Sequence, residues 1–215
     1  MSLKICVSIA DKDLAKVKSI LEKFDFCELR LDLIKPDINE IKGLIKKNRN
    51  VIVTCRENAG IDRIQYLIEA IKSKPKYLDI EFETELKIKR TLIDLCEKHG
   101  VKRIHSYHNF EYTPDFKNLI TIAENEYSSF KPAIIKIATY VNKENDNITL
   151  LSLLSSKIPL VVLGMGDLGR KTRLIAPLLG SKFTFASIDN KPSAPGQLDY
   201  FAMKDFYNKL ENILQ

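Results

Sequence analysis

The segment Pro132-Ala133-Ile134-Ile135-Lys136-Ile137-Ala138-Thr139 is apolar almost throughout and carries a lysine at its centre. An ammonium buried without a partner is costly, so such a group tends to shift its pKa and go neutral. A neutral buried amine is the nucleophile that forms Schiff bases with ketones. Lys136 is therefore the first candidate for chemistry. The ordinary alternative is a lysine whose stem is buried and whose head reaches the surface.

Other strand-like segments decide between these readings. Side chains alternate across a strand, so residues two apart share a face. Glu28, Arg30 and Asp32 share one face of Glu28-Leu29-Arg30-Leu31-Asp32, and the leucines share the other. The same parity groups Thr54 with Arg56, Asp79 with Glu81, and Ser106 with His108; Ser8 falls in the first strand. If these faces converge, arginines near Lys136 (Arg30, Arg56, Arg173) disfavour its charge, and the amine attacks a ketone to give an iminium. An iminium acidifies the adjacent C–H, and His108 is the natural base for that proton because it titrates near neutrality. A carboxylate should orient His108, with Glu81 or Glu57 as candidates. Arginines would hold a substrate carboxylate in a bidentate fork. His99, beside a helix-ending glycine, and His105, of opposite parity, read as structural. Glu28 and Arg30 have an ordinary reading too, as an internal ion pair.

The elements that must position these groups alternate from end to end. Strands are predicted over Lys4–Ile9, Phe26–Asp32, Val51–Arg56, Tyr77–Phe82, Arg103–His108, Ala133–Thr139, Leu160–Met165 and Phe183–Ser187. Helical spacing marks Leu14, Val17, Ile20, Leu21 and Phe24; Ile64, Leu67, Ile68 and Ile71; and Leu86, Ile88, Leu92, Leu95 and Cys96. A final helix after Gln197 carries Phe201, Phe206, Leu210 and Ile213. Eight strands alternating with helices, at roughly 25 residues per unit, predict an α/β chain forming a single (β/α)8 TIM barrel over residues 1–215. The structural rival with the same alternation is a doubly wound open sheet. In a barrel the polar face points inward, mostly near the C-terminal strand ends where such folds keep their active sites.

The 215 residues are 45% hydrophobic and 29% charged, as in a soluble globular domain. No apolar run approaches the ~20 residues of a membrane span, and the N-terminus has no signal-peptide core, so a cytoplasmic protein is expected. The formal charge of +6 predicts at most a bias toward anionic small molecules. Without basic–aromatic interleaving, nucleic acid is not an expected partner. Cys6, Cys27, Cys55 and Cys96 form no CxxC pair and read as reduced core residues.

Gly164-Met165-Gly166-Asp167-Leu168-Gly169 matches G-x-G-x-x-G, with Asp189 twenty residues on. The motif comes too late for a dinucleotide fold, since only one strand follows it, so a tight loop after strand seven is expected.

Taken together, Glu28-Leu29-Arg30-Leu31-Asp32, Thr54-Cys55-Arg56, Ser106-Tyr107-His108-Asn109-Phe110, Lys136-Ile137-Ala138, Met165 with Arg173, and Ser193-Ala194-Pro195-Gly196-Gln197 make the chain resemble the type I 3-dehydroquinate dehydratases. The resemblance spans nearly the whole chain. It implies a (β/α)8 barrel that syn-dehydrates 3-dehydroquinate to 3-dehydroshikimate in the shikimate pathway. It matches Lys136 to the Schiff-base lysine and His108 to the proton donor and acceptor. Glu28, Arg30, Arg56 and Arg173 match substrate-binding positions, with Arg173 on the carboxylate. Ser193 and Gln197 match a loop that closes over substrate, Ser8 a first-strand position facing it, and Met165 and Phe185 apolar pocket walls. It implies no metal or organic cofactor, and often a homodimer. One departure is the compressed segment Arg56-Glu57-Asn58-Ala59-Gly60, where the family often has a longer insert whose glutamate supports the histidine. Two other readings stay open: another Schiff-base barrel, such as a class I aldolase acting on a sugar phosphate, and a non-catalytic basic barrel holding an anionic metabolite or nucleic acid.

Overall fold

The computed structural model describes residues 3–57, 61–189 and 191–214. Strands and helices alternate in the order β1 (Ile5–Ile9), α1 (Leu14–Lys23), β2 (Cys27–Arg30), α2 (Leu31–Ile34), α3 (Ile38–Lys47), β3 (Val51–Thr54), α4 (Arg63–Lys72), β4 (Tyr77–Glu81), α5 (Leu86–His99) and β5 (Lys102–Asn109). There follow α6 (Phe116–Phe130), β6 (Ile134–Tyr140), α7 (Glu144–Ser152), β7 (Leu160–Met165), α8 (Gly166–Ile175), β8 (Thr184–Ser187), the short β9 (Leu198–Asp199) and α9 (Tyr200–Leu214). Hydrogen bonding orders the strands β7-β6-β5-β4-β3-β2-β1-β8-β9. The pairs β2/β3, β3/β4, β4/β5, β6/β7 and β1/β8 are parallel. A doubly wound sheet reverses its strand order at an internal switch point. The run from β1 to β7 has no such reversal, and β8 pairs with β1, which is (β/α)8 connectivity.

The chain packs as two compact units, Met1–Val7 with Tyr107–Gln215, and Ser8–Ser106. The divisions fall inside β1 and β5. In the Ser8–Ser106 unit, Val17 and Leu21 of α1, Ile41, Leu44 and Ile45 of α3, and Leu67, Ala70 and Ile71 of α4 are buried at helical spacing. Aspartates start these helices. Asp13 accepts the amide of Ala15 at 2.9 Å, Asp37 that of Asn39 at 2.9 Å and Asp62 that of Gln65 at 3.0 Å. Each satisfies an amide that has no partner within its helix. Gly100, at φ 69°, ends α5 in the left-handed region that favours glycine. His99 is the last residue of that helix, as expected of a structural histidine.

In the other unit, Met203 and Tyr207 of α9 pack with Ala186 of β8, Ile5 of β1 and Leu174 of α8. This corrects the reading of the final helix. Phe201, Phe206 and Ile213 are exposed, and the buried stripe is the Met203–Tyr207 pair. A second correction concerns α5. Its stripe runs Lys89, Leu92, Cys96, with the Lys89 ammonium donating to the Phe82 carbonyl at 2.8 Å. A third concerns the glycine-rich segment. Strand β7 runs directly into α8 with no intervening loop. A Cβ on Gly169 would lie 2.5 Å from the Gly164 carbonyl carbon, and one on Gly164 would lie 2.8 Å from the Gly169 Cα. The two glycines thus let helix and strand backbones touch. Gly169→Ala is expected to destabilise the fold by about 2 kcal/mol or more through overpacking, seen as a lowered Tm in thermal unfolding.

Candidate active site

In the Ser8–Ser106 unit the inward parity read from the sequence produces four contact groups. Glu28, buried in β2, accepts the Ser8 hydroxyl on Oε2 at 2.5 Å and the Thr54 hydroxyl on Oε1 at 2.8 Å. Three consecutive strands therefore hold one carboxylate with two neutral donors. Arg30, at the end of β2, forks onto Asp32, with Nε to Oδ1 at 3.0 Å and NH2 to Oδ2 at 2.6 Å. Burial works against the Arg30 charge. The bond to Asp32 and the charges of Glu28, Asp32 and Asp79 outweigh it and raise its pKa above the ordinary arginine value. The strand expected to reach Asp32 ends at Arg30, and Asp32 lies in the single turn of α2. Arg30 still meets Asp32, but as neighbours across a strand-to-helix turn.

The third group lies at the ends of β3 and β4. Arg56 NH1 donates to Glu81 Oε1 at 2.5 Å, and Arg63 NH2 donates to Glu81 Oε2 at 3.0 Å. A fourth group joins β4 and β5, where the Ser106 hydroxyl donates to the buried Asp79 at 2.5 Å. Glu57 lies exposed in the coil beyond β3, and Asn58, Ala59 and Gly60 are outside the described residues. The thiols of Cys27, Cys55 and Cys96 are pushed by burial up to about 12, so they stay protonated and are poor nucleophiles near neutral pH.

The other unit carries Lys136, His108 and the loop residues. Lys136 is the third residue of β6, paired in register with Val161, and is 5% exposed. Its Nζ lies 4.5 Å from the centroid of the Phe185 ring. Burial at this level rules out the surface-reaching reading. His108, half-buried near the end of β5, stacks on Phe110 with ring centroids 6.0 Å apart and planes 17° apart. Asn109 then ends the strand by accepting the amides of Glu111 and Tyr112, each at 3.0 Å. His105 is fully buried.

Arg173 of α8 is 2% exposed and donates through NH2 to the Pro195 carbonyl at 3.2 Å. Ser193 donates its amide at 2.7 Å and its hydroxyl at 3.1 Å to Gln197 Oε1, so the two predicted loop residues are bonded to each other. Gly196, at φ 72°, sits against Gly166, and a Cβ there would collide with the Gly166 carbonyl. The Gly166 backbone, just after Met165, is thus the surface on which the Ser193–Gln197 loop rests.

A sequence model described as Type I 3-dehydroquinase matches residues 5–213. The chain belongs to the type I 3-dehydroquinase family. It is 35% identical over 225 residues to the 3-dehydroquinate dehydratase of Methanococcus vannielii, covering 96% of this chain and 100% of that protein. It is 36% identical to the 3-dehydroquinate dehydratase of Coxiella burnetii, covering 98% and 94%. The crystal structure of 3-dehydroquinate dehydratase from Geobacillus kaustophilus superposes with a TM-score of 0.85 at 23% identity, covering 99% of this chain and 92% of that one. That likeness gives the fold, and it agrees with the (β/α)8 strand order.

Two residues stand out that carried no functional signal in the sequence. Arg63, the first residue of α4, donates Nε–H to the Cys55 carbonyl at 2.7 Å besides its bond to Glu81. Tyr207 of α9 donates its hydroxyl to the carbonyls of Arg173 at 3.2 Å and Leu174 at 3.0 Å. Burial pushes that phenol up to about 12 and keeps it a donor. The only sequence signal for Arg63 was its place after the capping Asp62. Tyr207 carried none beyond an aromatic in an amphipathic helix.

Proposed function

We infer that this chain is a 3-dehydroquinate dehydratase, a hydro-lyase of the shikimate pathway that serves aromatic amino acid biosynthesis. The observation that carries the reading is the family match across residues 5–213; a lysine buried in mid-strand, suited to Schiff-base chemistry, supports it.

The proposed reaction begins with attack of the Lys136 amine on the substrate ketone. Loss of one water gives an iminium, which withdraws electrons from the adjacent carbon. His108 takes the proton from that carbon, and the electron pair moves into an enamine. The pair then expels the hydroxyl one carbon further on, with His108 returning its proton to the departing oxygen. A second water hydrolyses the iminium, freeing 3-dehydroshikimate and Lys136. The net change is one water lost per turnover. No redox step occurs, and no metal or organic cofactor is required.

Glu28, Arg30, Arg56 and Ser8 are assigned to substrate binding, with Glu28 held as a hydrogen-bond acceptor for a substrate hydroxyl. Arg173 is assigned to the substrate carboxylate, which a guanidinium meets with two parallel bonds. Ser193 and Gln197 belong to the closing loop, and Met165 and Phe185 to the apolar wall. Support of His108 is assigned to Glu81 or Glu57. The functional unit is the whole of residues 1–215, acting in the cytoplasm as a homodimer. Among the described residues no helix is long and apolar enough to cross a membrane.

The test is an ultraviolet assay for the conjugated enone formed from 3-dehydroquinate. Turnover by the purified chain supports the reading. Inactivity on 3-dehydroquinate with cleavage of a sugar phosphate would replace it with an aldolase. Gly196→Ala is expected to raise KM about tenfold while the Tm changes little, because the substitution is strained at positive φ and lifts the loop from Gly166.

A further inference from the structure

The Arg56–Glu81–Arg63 group contains a residue with no role in the reaction just described. Arg63 makes three bonds at once: to the Cys55 carbonyl at 2.7 Å, to Glu81 Oε2 at 3.0 Å and to the Thr84 hydroxyl at 3.4 Å. Its side chain is 16% exposed, as is that of Arg56, and that of Glu81 is 21% exposed. All three are largely shielded from water and keep an open side. Cys55 directly precedes Arg56, so Arg63 grips the backbone leading into Arg56 as well as the carboxylate that Arg56 engages.

The charge count gives this arrangement a consequence. Arg56 and Glu81 alone would form a closed neutral pair, and an incoming anion would have to compete with Glu81 for the guanidinium. With Arg63 on the second carboxylate oxygen, one negative charge is shared between two positive ones. These three side chains carry a net charge of +1, which Glu83, in electrostatic reach of Arg56 and Glu81, partly offsets; the bond from Arg63 lets Arg56 turn toward an anion without leaving Glu81 unpaired. We propose that Arg63 is a positioning residue that sets the affinity for the anionic substrate by sharing Glu81 with Arg56. The proposal rests on the dehydratase reading and on the substrate role assigned to Arg56.

Steady-state kinetics with 3-dehydroquinate on the full chain test it, with the wild type measured in parallel. Arg63→Gln is expected to raise KM about tenfold and to lower kcat less than about threefold, because it weakens ground-state binding of an anion and leaves the reacting groups in place. Arg63→Lys, which keeps the charge and loses the fork, is expected to recover part of the lost affinity. In a Glu81→Gln background, Arg63→Gln should change KM by less than about twofold, because the residue through which it acts is gone. An unchanged KM, a fall in kcat alone, or an undiminished effect of Arg63→Gln in the Glu81→Gln background would overturn the proposal. If Arg63→Gln fails to fold by circular dichroism, Arg63→Lys carries the test, and a KM equal to that of the wild type overturns the proposal. A wild type that does not turn over 3-dehydroquinate defeats the dehydratase reading first, and this inference with it.

Discussion

Lys136→Ala is expected to cut turnover of 3-dehydroquinate by at least about a thousandfold while the chain stays folded. Without the amine no iminium forms, and the adjacent C–H must be broken with only the ketone to accept its electrons. Other buried nucleophiles are poor substitutes: among the described residues, Lys89 of α5 is held on the Phe82 carbonyl, and Cys27, Cys55 and Cys96 are kept protonated by burial. The substitution empties space beside the Phe185 ring but also removes a polar amine from a site that is 5% exposed. These effects on stability oppose each other, so the Tm should move little compared with the change in rate. Lys136→Met separates the two contributions, because it fills the space and has no amine. It should be as inactive as Lys136→Ala. A rate within tenfold of wild type for either variant would remove Lys136 from the mechanism.

His108→Ala is expected to lower kcat by about a hundredfold or more, the scale of one positioned acid–base group. The loss should fall on proton transfer and leave Schiff-base formation competent. Borohydride added with substrate should therefore still trap an adduct on the His108→Ala protein, and because the adduct is not turned over, a larger fraction should be trapped. Loss of trapping together with turnover would mean that His108 acts earlier, in forming the iminium. The stacking of His108 on the exposed ring of Phe110 leads to a smaller expectation: Phe110→Ala loosens the imidazole and lowers kcat more than it changes KM.

Much of the site was legible because strand parity is a short-range rule. Ser8, Glu28 and Thr54 were placed on inward faces by counting in twos, and they meet at one carboxylate. Asp79 and Ser106 were grouped in the same way. The rule fails where the strand stops. Asp32 was counted as a strand residue, but Leu31–Ile34 forms one helical turn that closes with Lys35 in the left-handed region, just before Pro36. Arg63 was invisible because it sits at a helix start, where an arginine ordinarily faces water and no parity applies. On α9, the helical spacing of Met203 and Tyr207 competes with that of the phenylalanines and Ile213. Only packing against Ala186 and Leu174 decides which stripe is buried. The stripe of α5 could be counted back from Leu92 to position 89, but a lysine there conceals it until its ammonium is seen on the Phe82 carbonyl. The G-x-G-x-x-G match follows a strand and opens a helix, as the dinucleotide pattern does. Its outer glycines serve close contact between β7 and α8, and its middle one supports the Ser193–Gln197 loop through Gly196.

The central claim is that Lys136 is the amine that joins the substrate. Incubating the chain with 3-dehydroquinate, reducing with borohydride and mapping the product by intact-protein and peptide mass spectrometry tests it most directly. One reduced ligand per chain, carried by the peptide containing Lys136 and absent from Lys136→Ala, is the predicted result. An unmodified Lys136, or an adduct on any other residue, would contradict it.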